Sequence, residues 1–146
     1  MDLDEYKEMT ARREYIPGGS PAHELMHGMS AEAQKITSRI NCGYHTQEEL
    51  SGLFSELVGK EVGEGFALFP PVYSDFGKNI SVGKNVFINS GCCFQDQGGV
   101  ELGDGTLVGH QVVFATLNHD LDPDRRAGMY PAPIKTGRNV WIGSHA

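Results

Sequence analysis

One nine-residue segment occurs three times in this chain and limits the fold more than any other feature. The copies begin at Ile80, Val100 and Ile134. Mostly apolar residues recur at every sixth position through the copies, namely Val82, Ile88, Phe94, Leu102, Val108, Phe114, Thr136 and Ile142. A hexapeptide period predicts a parallel β-helix, in which each rung supplies one short strand, one turn and one inward-pointing anchor.

Two interruptions of the period locate insertions. The first two copies begin 20 residues apart, two more than three rungs require, and we assign the excess to residues 97–99. The second and third copies begin 34 residues apart, so 16 residues are extra, and they fall in a loop at residues 116–133. Insertions in repeat proteins often form the binding face. The loop contains Asn118, His119 and Asp120, and we expect it to be functional.

Composition excludes several classes of protein. The chain has 146 residues and a net charge of -7 without a basic stripe, which argues against a nucleic-acid partner. No apolar run approaches the ~18 residues of a membrane span, and the acidic start, Met1–Glu5, is unlike a signal peptide. Three cysteines do not make a disulfide framework. We therefore expect a cytoplasmic protein with reduced thiols, with one of Cys92 and Cys93 pointing into the coil and the other outward.

Residues 1–59 lack the hexapeptide period and predict helices. Ser20 followed by Pro21 is typical of a helix start, and we expect this helix to break at residues 41–44. Thr46 begins a capping box for a second helix, which Gly59 ends. We expect residues 1–59 to cap the open end of a β-helix at residues 60–146. The polar stretch at residues 1–19 is expected to be mobile.

Three further motifs carry a family resemblance. They are Pro70-Pro71-Val72-Tyr73-Ser74-Asp75, Asn118-His119-Asp120 and Asn139-Val140-Trp141-Ile142-Gly143. Together they resemble the sugar O-acetyltransferases, the maltose and galactoside acetyltransferases of the hexapeptide-repeat superfamily. The likeness covers about residues 60–146 and, more loosely, the helical N-terminus.

The resemblance implies an all-β, left-handed parallel β-helix with an N-terminal helical cap. It also implies a homotrimer whose active sites lie between neighbouring subunits, with the His119 loop of one subunit reaching towards the next. The implied reaction moves the acetyl group of acetyl-CoA to a hydroxyl of a sugar, without a metal ion. The edge of the helical cap is expected to help shape the acceptor pocket.

Acetyl transfer from a thioester to a hydroxyl needs a base, because a sugar hydroxyl does not ionise near neutral pH. Histidine suits this task, and His119 matches the loop histidine that serves as the base in the family. Asn118, Asp120 or a backbone carbonyl could orient its imidazole, and the sequence leaves the three open. Attack on the thioester is direct, so Cys92 and Cys93 are expected to be bystanders.

Further site residues follow from the resemblance alone. Phe87 stands where the galactoside enzymes carry tyrosine, and Ser144 matches a position on the acetyl-CoA side. The positions expected to contact the acceptor are Asp75, Phe87, Asn89, Asp96 and Met129.

Three alternatives remain at this stage. Hexapeptide β-helices include zinc enzymes with three histidine ligands shared between subunits, and His110, His119 and His145 could form such a set. The sequence ends at Ala146, 13 residues into the coil that begins at Ile134, so a non-catalytic trimeric β-helix is a second hypothesis. The third is an acetyltransferase for another hydroxylated acceptor, such as an antibiotic.

Overall fold

A computed structural model describes residues 1–146. Three helices open the chain: α1 (Leu3–Ala11), α2 (Pro21–Asn41) and α3 (Gln47–Val58). Twelve short strands follow: β1 (Ala67–Leu68), β2 (Val72–Ser74), β3 (Ile80–Val82), β4 (Phe87–Ile88), β5 (Cys92–Gln95), β6 (Val100–Leu102), β7 (Leu107–Val108), β8 (Val113–Ala115), β9 (Leu117–His119), β10 (Met129–Pro131), β11 (Ile134–Lys135) and β12 (Trp141–Ile142). None of the helices combines the length and the apolar character that crossing a bilayer requires.

Ten of the strands form three parallel sheets that the chain visits in turn. Sheet I has the order β1-β4-β7-β12, sheet II the order β2-β5-β8 and sheet III the order β11-β6-β3. Ile80 pairs with Val100, which pairs with Ile134, so the three copies stack as the period predicts. The anchors Ile88, Phe94, Leu102, Val108 and Phe114 are buried. The predicted parallel coil of hexapeptide rungs is therefore confirmed.

The helices begin and end close to where the sequence indicates. The Ser20 side chain accepts a hydrogen bond from the backbone amide of His23 and starts α2. Thr46 forms the predicted capping box at α3, and Gly59 ends that helix with a left-handed φ of 75°. Both helices pack on the first coil, where Phe54 stacks on Phe66 with 4.8 Å between ring centroids.

The expectation that residues 1–19 form a mobile tail was wrong, because the structure has this segment ordered. Asp2 caps α1 with a capping box, and Tyr6 is fully buried against Phe76, with ring centroids 4.9 Å apart. Ile16 is also fully buried and pairs with Met129. The segment is ordered because its few apolar side chains fill a second apolar cluster, beside the β-helix core.

The adjacent cysteines have the predicted alternation. Cys92 is buried, Cys93 is half-buried, and both are free thiols. Successive strand residues face opposite sides of a sheet, so only the first of the pair points into the coil. Burial raises the pKa of the Cys92 thiol, which disfavours the reactive thiolate.

Candidate active site

The long insertion forms a hairpin that carries His119. Strands β9 and β10 pair antiparallel, with His119 opposite Met129. The amide of Ala132 donates to the carbonyl of Thr116 at 2.8 Å and closes the base of the hairpin. The hairpin leaves the coil after β8 and returns at β11, so it projects from the corner where sheet II leads into sheet III. We call the turns of this corner, residues 75–79, 96–99 and 116–133, the hairpin corner.

The imidazole of His119 is exposed and held by the main chain. Its Nδ1 atom lies 2.8 Å from the carbonyl oxygen of Arg126. A carbonyl can only accept a hydrogen bond, so this contact requires the proton on Nδ1 and leaves the lone pair of Nε2 free. The sequence left three candidates for the group that orients the imidazole, and in the structure this group is the backbone carbonyl of Arg126. An imidazole fixed in this tautomer can accept a proton at Nε2.

Asp120 stabilises the hairpin rather than the imidazole, since no hydrogen bond joins it to His119. Its carboxylate accepts from the backbone amide of Asp122 and from the hydroxyl of Tyr15, each at 3.0 Å. The amide of Asp122 is the main reason that the pKa of Asp120 lies below its usual value; Tyr15 and Arg125 add to the effect, and burial opposes it. The carboxylate stays ionised and ties the loop to the N-terminal segment.

That N-terminal segment is a part of the site that the sequence did not reveal. Ile16 and Met129 exchange two backbone hydrogen bonds of 2.9 Å, so residue 16 extends the hairpin by one bridge. The rings of Tyr15 and Tyr130 lie 4.7 Å apart. A Cβ atom on Gly128 would overlap the Tyr15 ring, so a side chain at this position would displace Tyr15 from the hairpin. The segment therefore holds the hairpin in place.

Asp75 and Asp96 lie at the hairpin corner but differ in exposure. Asp75 is exposed, whereas Asp96 is fully buried, and its Oδ1 accepts from the Ser74 hydroxyl at 2.8 Å and the Phe76 amide at 3.1 Å. Its Oδ2 has no partner. Burial raises the pKa of Asp96 to about 6, although both hydrogen bonds act in the opposite direction. Burial and the neighbouring Asp96 charge also raise the pKa of Tyr6.

Met129 is paired with His119 across the two strands of the hairpin, and its side chain is buried in the second apolar cluster. Around His119 the hairpin forms an open pocket, lined by Asn118, His119, Asp120, Leu121 and Tyr130. The side chain of Met129 does not line this pocket.

Phe87, Asn89 and Ser144 lie at a different corner, where sheet I leads into sheet II. We call its turns, residues 69–71, 89–91, 109–112 and 143–146, the second corner. Asn89 accepts from the amide of Ser90 at 2.9 Å, and the Ser144 hydroxyl accepts from the amide of His110 at 3.1 Å. Phe87, on the adjoining strand, packs edge to face with Phe69. A single copy thus separates these three residues from His119.

Two sheets present apolar side chains to solvent. On sheet I, Phe87, Leu107 and Trp141 stand in register, and Trp141 is 78% exposed. On sheet II the outward residues are Tyr73, Cys93 and Val113. Sheet III differs, because its outward residues are Ser81, Glu101 and Lys135. The apolar faces adjoin each other at the second corner, and exposed patches of this kind mark interaction sites.

No three histidine, cysteine, aspartate or glutamate side chains lie close enough together to hold a metal ion within one chain. His110 and His145 are neighbours at the second corner, where the amide of His145 donates to the carbonyl of His110 at 2.9 Å. His119 lies at the hairpin corner, apart from both.

Comparison with known proteins agrees with this architecture, although no family model matches the chain. The galactoside O-acetyltransferase of Escherichia coli K12 is 36% identical over 132 residues, covering 89% of this chain and 58% of that protein. A provisionally named acetyltransferase of Dictyostelium discoideum is 32% identical over 146 residues, covering 99% of this chain and 74% of that protein. The chain spans about half the length of the first curated relatives it matches.

A solved structure extends the similarity to the fold. A galactoside acetyltransferase in complex with coenzyme A superimposes with a TM-score of 0.78 at 26% identity. The match covers 99% of this chain and 70% of that chain. The similarity thus includes the N-terminal helices as well as the repeats.

Proposed function

The chain belongs to the hexapeptide-repeat O-acetyltransferase family that includes the galactoside and maltose enzymes, and from this premise we propose that it transfers the acetyl group of acetyl-CoA to a hydroxyl of a sugar. The observation that carries the proposal is the 2.8 Å contact between Nδ1 of His119 and the Arg126 carbonyl. It fixes the tautomer that a general base needs, on the one long insertion of the β-helix.

In this reaction Nε2 of His119 takes the proton of the acceptor hydroxyl while the hydroxyl oxygen attacks the thioester carbon. The Arg126 carbonyl stabilises the imidazolium that forms, because the Nδ1 proton then carries part of the positive charge. When the tetrahedral intermediate collapses, the imidazolium returns the proton to the departing thiolate of coenzyme A. A backbone amide near Ser144 is the proposed donor to the oxyanion.

The proposed assembly is a homotrimer. The apolar outward columns of sheets I and II support it, because Trp141 and Val113 are 78% and 55% exposed in one copy. Contact between copies would remove these side chains from water, at about 25 cal/mol per Å² of apolar area. The polar column of sheet III would stay in solvent. A closed cyclic assembly also fits a β-helix in which two of the three sheets have apolar outward faces.

A trimer would also complete the active site. His119 lies at the hairpin corner, whereas Asn89 and Ser144 lie at the second corner of the same chain. When copies are related by a three-fold axis, the hairpin corner of one copy can meet the second corner of its neighbour. We propose that the acceptor and acetyl-CoA bind in this junction, with His119 from one copy and Asn89, Phe87 and Ser144 from the next.

The remaining acceptor contacts and the finer description of the fold belong to the same proposal. Asp75 is an exposed carboxylate of the hairpin corner and is a proposed acceptor contact; the buried Asp96 and Met129 would act from beneath the hairpin. The β-helix is proposed to be left-handed, with residues 1–59 as its cap over residues 60–146. A cytoplasmic location remains a prediction.

The test is the release of free thiol from acetyl-CoA in the presence of glucose, maltose or a galactoside. We expect release that depends on the sugar, together with a gain of one acetyl group by the sugar in mass spectrometry. Omission of the sugar is the control for simple hydrolysis. If no sugar supports release, the assignment fails and a non-catalytic trimeric β-helix becomes the better description.

A further inference from the structure

A second cavity adjoins the hairpin corner and is separate from the pocket around His119. It has a volume of about 300 Å³ and lies between α1 and the outward face of sheet III. Lys7 and Thr10 of α1 line one side, and the in-register column of Ser81, Glu101 and Lys135 lines the other. Sheet III carries the polar face, so this cavity would remain open to solvent in the proposed trimer.

The two-residue insertion of the first coil opens this cavity. Gly98 and Gly99 line it without side chains, and Gly99 has a φ of 102°, in the region that favours glycine. A Cβ on Gly98 would lie 2.6 Å from the carbonyl oxygen of Thr116. The insertion also contacts the base of the hairpin, where the Gly98 amide donates to the Thr116 hydroxyl at 2.8 Å, but it makes no hydrogen bond to His119.

Two lysines at this cavity have no ion-pair partner, whereas a third lining lysine is paired with a lining carboxylate. No carboxylate lies within ion-pair distance of Lys7 or Lys60, whereas Lys135 pairs with Glu101 at 3.0 Å. Lys60 reaches the cavity edge, where its Nζ donates to the Ser81 hydroxyl at 3.1 Å. In a chain of net charge -7, two neighbouring lysines without an ion pair form a local site for an anion.

The surroundings of Lys7 support the same conclusion. Burial is the main reason that its pKa lies below the usual value, and the charges of Lys60 and Lys78 lower it further, against the attraction of Asp4. Lys78 itself is occupied, because its Nζ donates to two carbonyls of α3 and lies 3.4 Å from Glu32. A bound anion would relieve the repulsion between Lys7 and Lys60.

We propose that this cavity binds a phosphate group, either inorganic phosphate or the phosphate of a small monoester. A phosphate offers several acceptor oxygens and up to two charges, which suits two ammonium groups and the Ser81 hydroxyl. The cavity volume is sufficient for the group and a few attached atoms. The bound phosphate bridges α1 and sheet III and therefore stabilises the folded protein. The proposal does not depend on acetyl transfer.

The test is titration calorimetry with inorganic phosphate and with glycerol phosphate, at constant ionic strength, with chloride as the reference. We expect both probes to bind, and in a separate thermal unfolding experiment we expect both to raise the midpoint of unfolding of the protein. Stronger binding of glycerol phosphate would identify a monoester as the preferred ligand. Lys7→Gln and Lys60→Gln are each expected to weaken phosphate binding roughly 10-fold. Lys7→Arg, which keeps the positive charge, is expected to retain phosphate binding.

Lys35→Gln is the matched control, because Lys35 is an exposed lysine of α2 that does not line the cavity. It removes the same charge and should leave phosphate binding unchanged. The proposal is overturned if phosphate stabilises the protein no more than chloride does, or if Lys35→Gln weakens binding as much as Lys7→Gln. Circular dichroism of each variant separates loss of the site from loss of the fold.

Discussion

Replacement of His119 by alanine is expected to lower the turnover of acetyl transfer about 10²–10⁴-fold. Without Nε2 the acceptor hydroxyl must give its proton to water, while the binding surface for acetyl-CoA is unchanged. The loss should therefore appear in kcat, with little change in the KM for acetyl-CoA. Initial rates of thiol release over a range of both substrates measure this directly.

His27→Ala is the control for this experiment, because His27 is exposed on α2, where its ring packs edge to face on that of His23. It should retain nearly the full turnover. A His119→Ala protein with near-normal turnover would show that another group removes the proton, and the proposed mechanism would have to be abandoned.

Replacement of Asp96 by asparagine is expected to stabilise the protein at neutral pH. The folded state raises the pKa of Asp96 from 3.8 to about 6, so folding favours the protonated carboxyl. The stabilisation that protonated Asp96 gives the folded state is fully present below the unfolded pKa and is lost as the pH rises through about 6. At pH 7.5, where Asp96 is ionised, the buried charge therefore lowers the free energy of unfolding by about 3 kcal/mol relative to a neutral group. Asparagine stays neutral and can still accept from Ser74 and Phe76 through its Oδ1.

Chemical denaturation at pH 7.5 and at pH 4 measures the difference. Asp96→Asn should raise the free energy of unfolding by up to about 3 kcal/mol at the higher pH, equivalent to roughly 6–12 °C in Tm, and by little at the lower pH. Asp124→Asn, at an exposed position of the hairpin, is the control and should change neither value. An Asp96→Asn protein that is less stable at pH 7.5 would contradict a destabilising buried charge.

The coil could be predicted from the sequence because its determinants are local and periodic. Each rung repeats the anchor of the last, so pairs such as Ile80 and Val100 follow from counting. The helix starts at Ser20 and Thr46 were equally readable, because a cap is a contact between residues three apart. The insertion at residues 116–133 was visible as a break in the period, although it was predicted as a loop and the antiparallel pairing of β9 and β10 was not.

The parts that could not be predicted depend on contacts between distant residues or on the main chain. Tyr15 and Asp120 are 105 residues apart, and neither belongs to a pattern that links them. The orienting group of His119 is a carbonyl, which every residue has, so the identity of Arg126 carries no signal. Asp96 is buried beside Tyr6 of α1 and against Ser74 and Phe76 of the preceding coil, whereas an aspartate at a turn normally indicates an exposed residue.

The central claim is that each active site combines His119 of one copy with Asn89 of another. It is tested most directly by mixing His119→Ala and Asn89→Ala variants that carry different tags, each expected to lose most of its turnover alone because it removes one side of every junction. Trimers purified through both tags contain both chains, and one junction in three then has an intact His119 facing an intact Asn89. The account predicts recovery of about one third of wild-type turnover in these mixed trimers. Mixed trimers that remain as inactive as either parent would show that the two residues do not meet between copies.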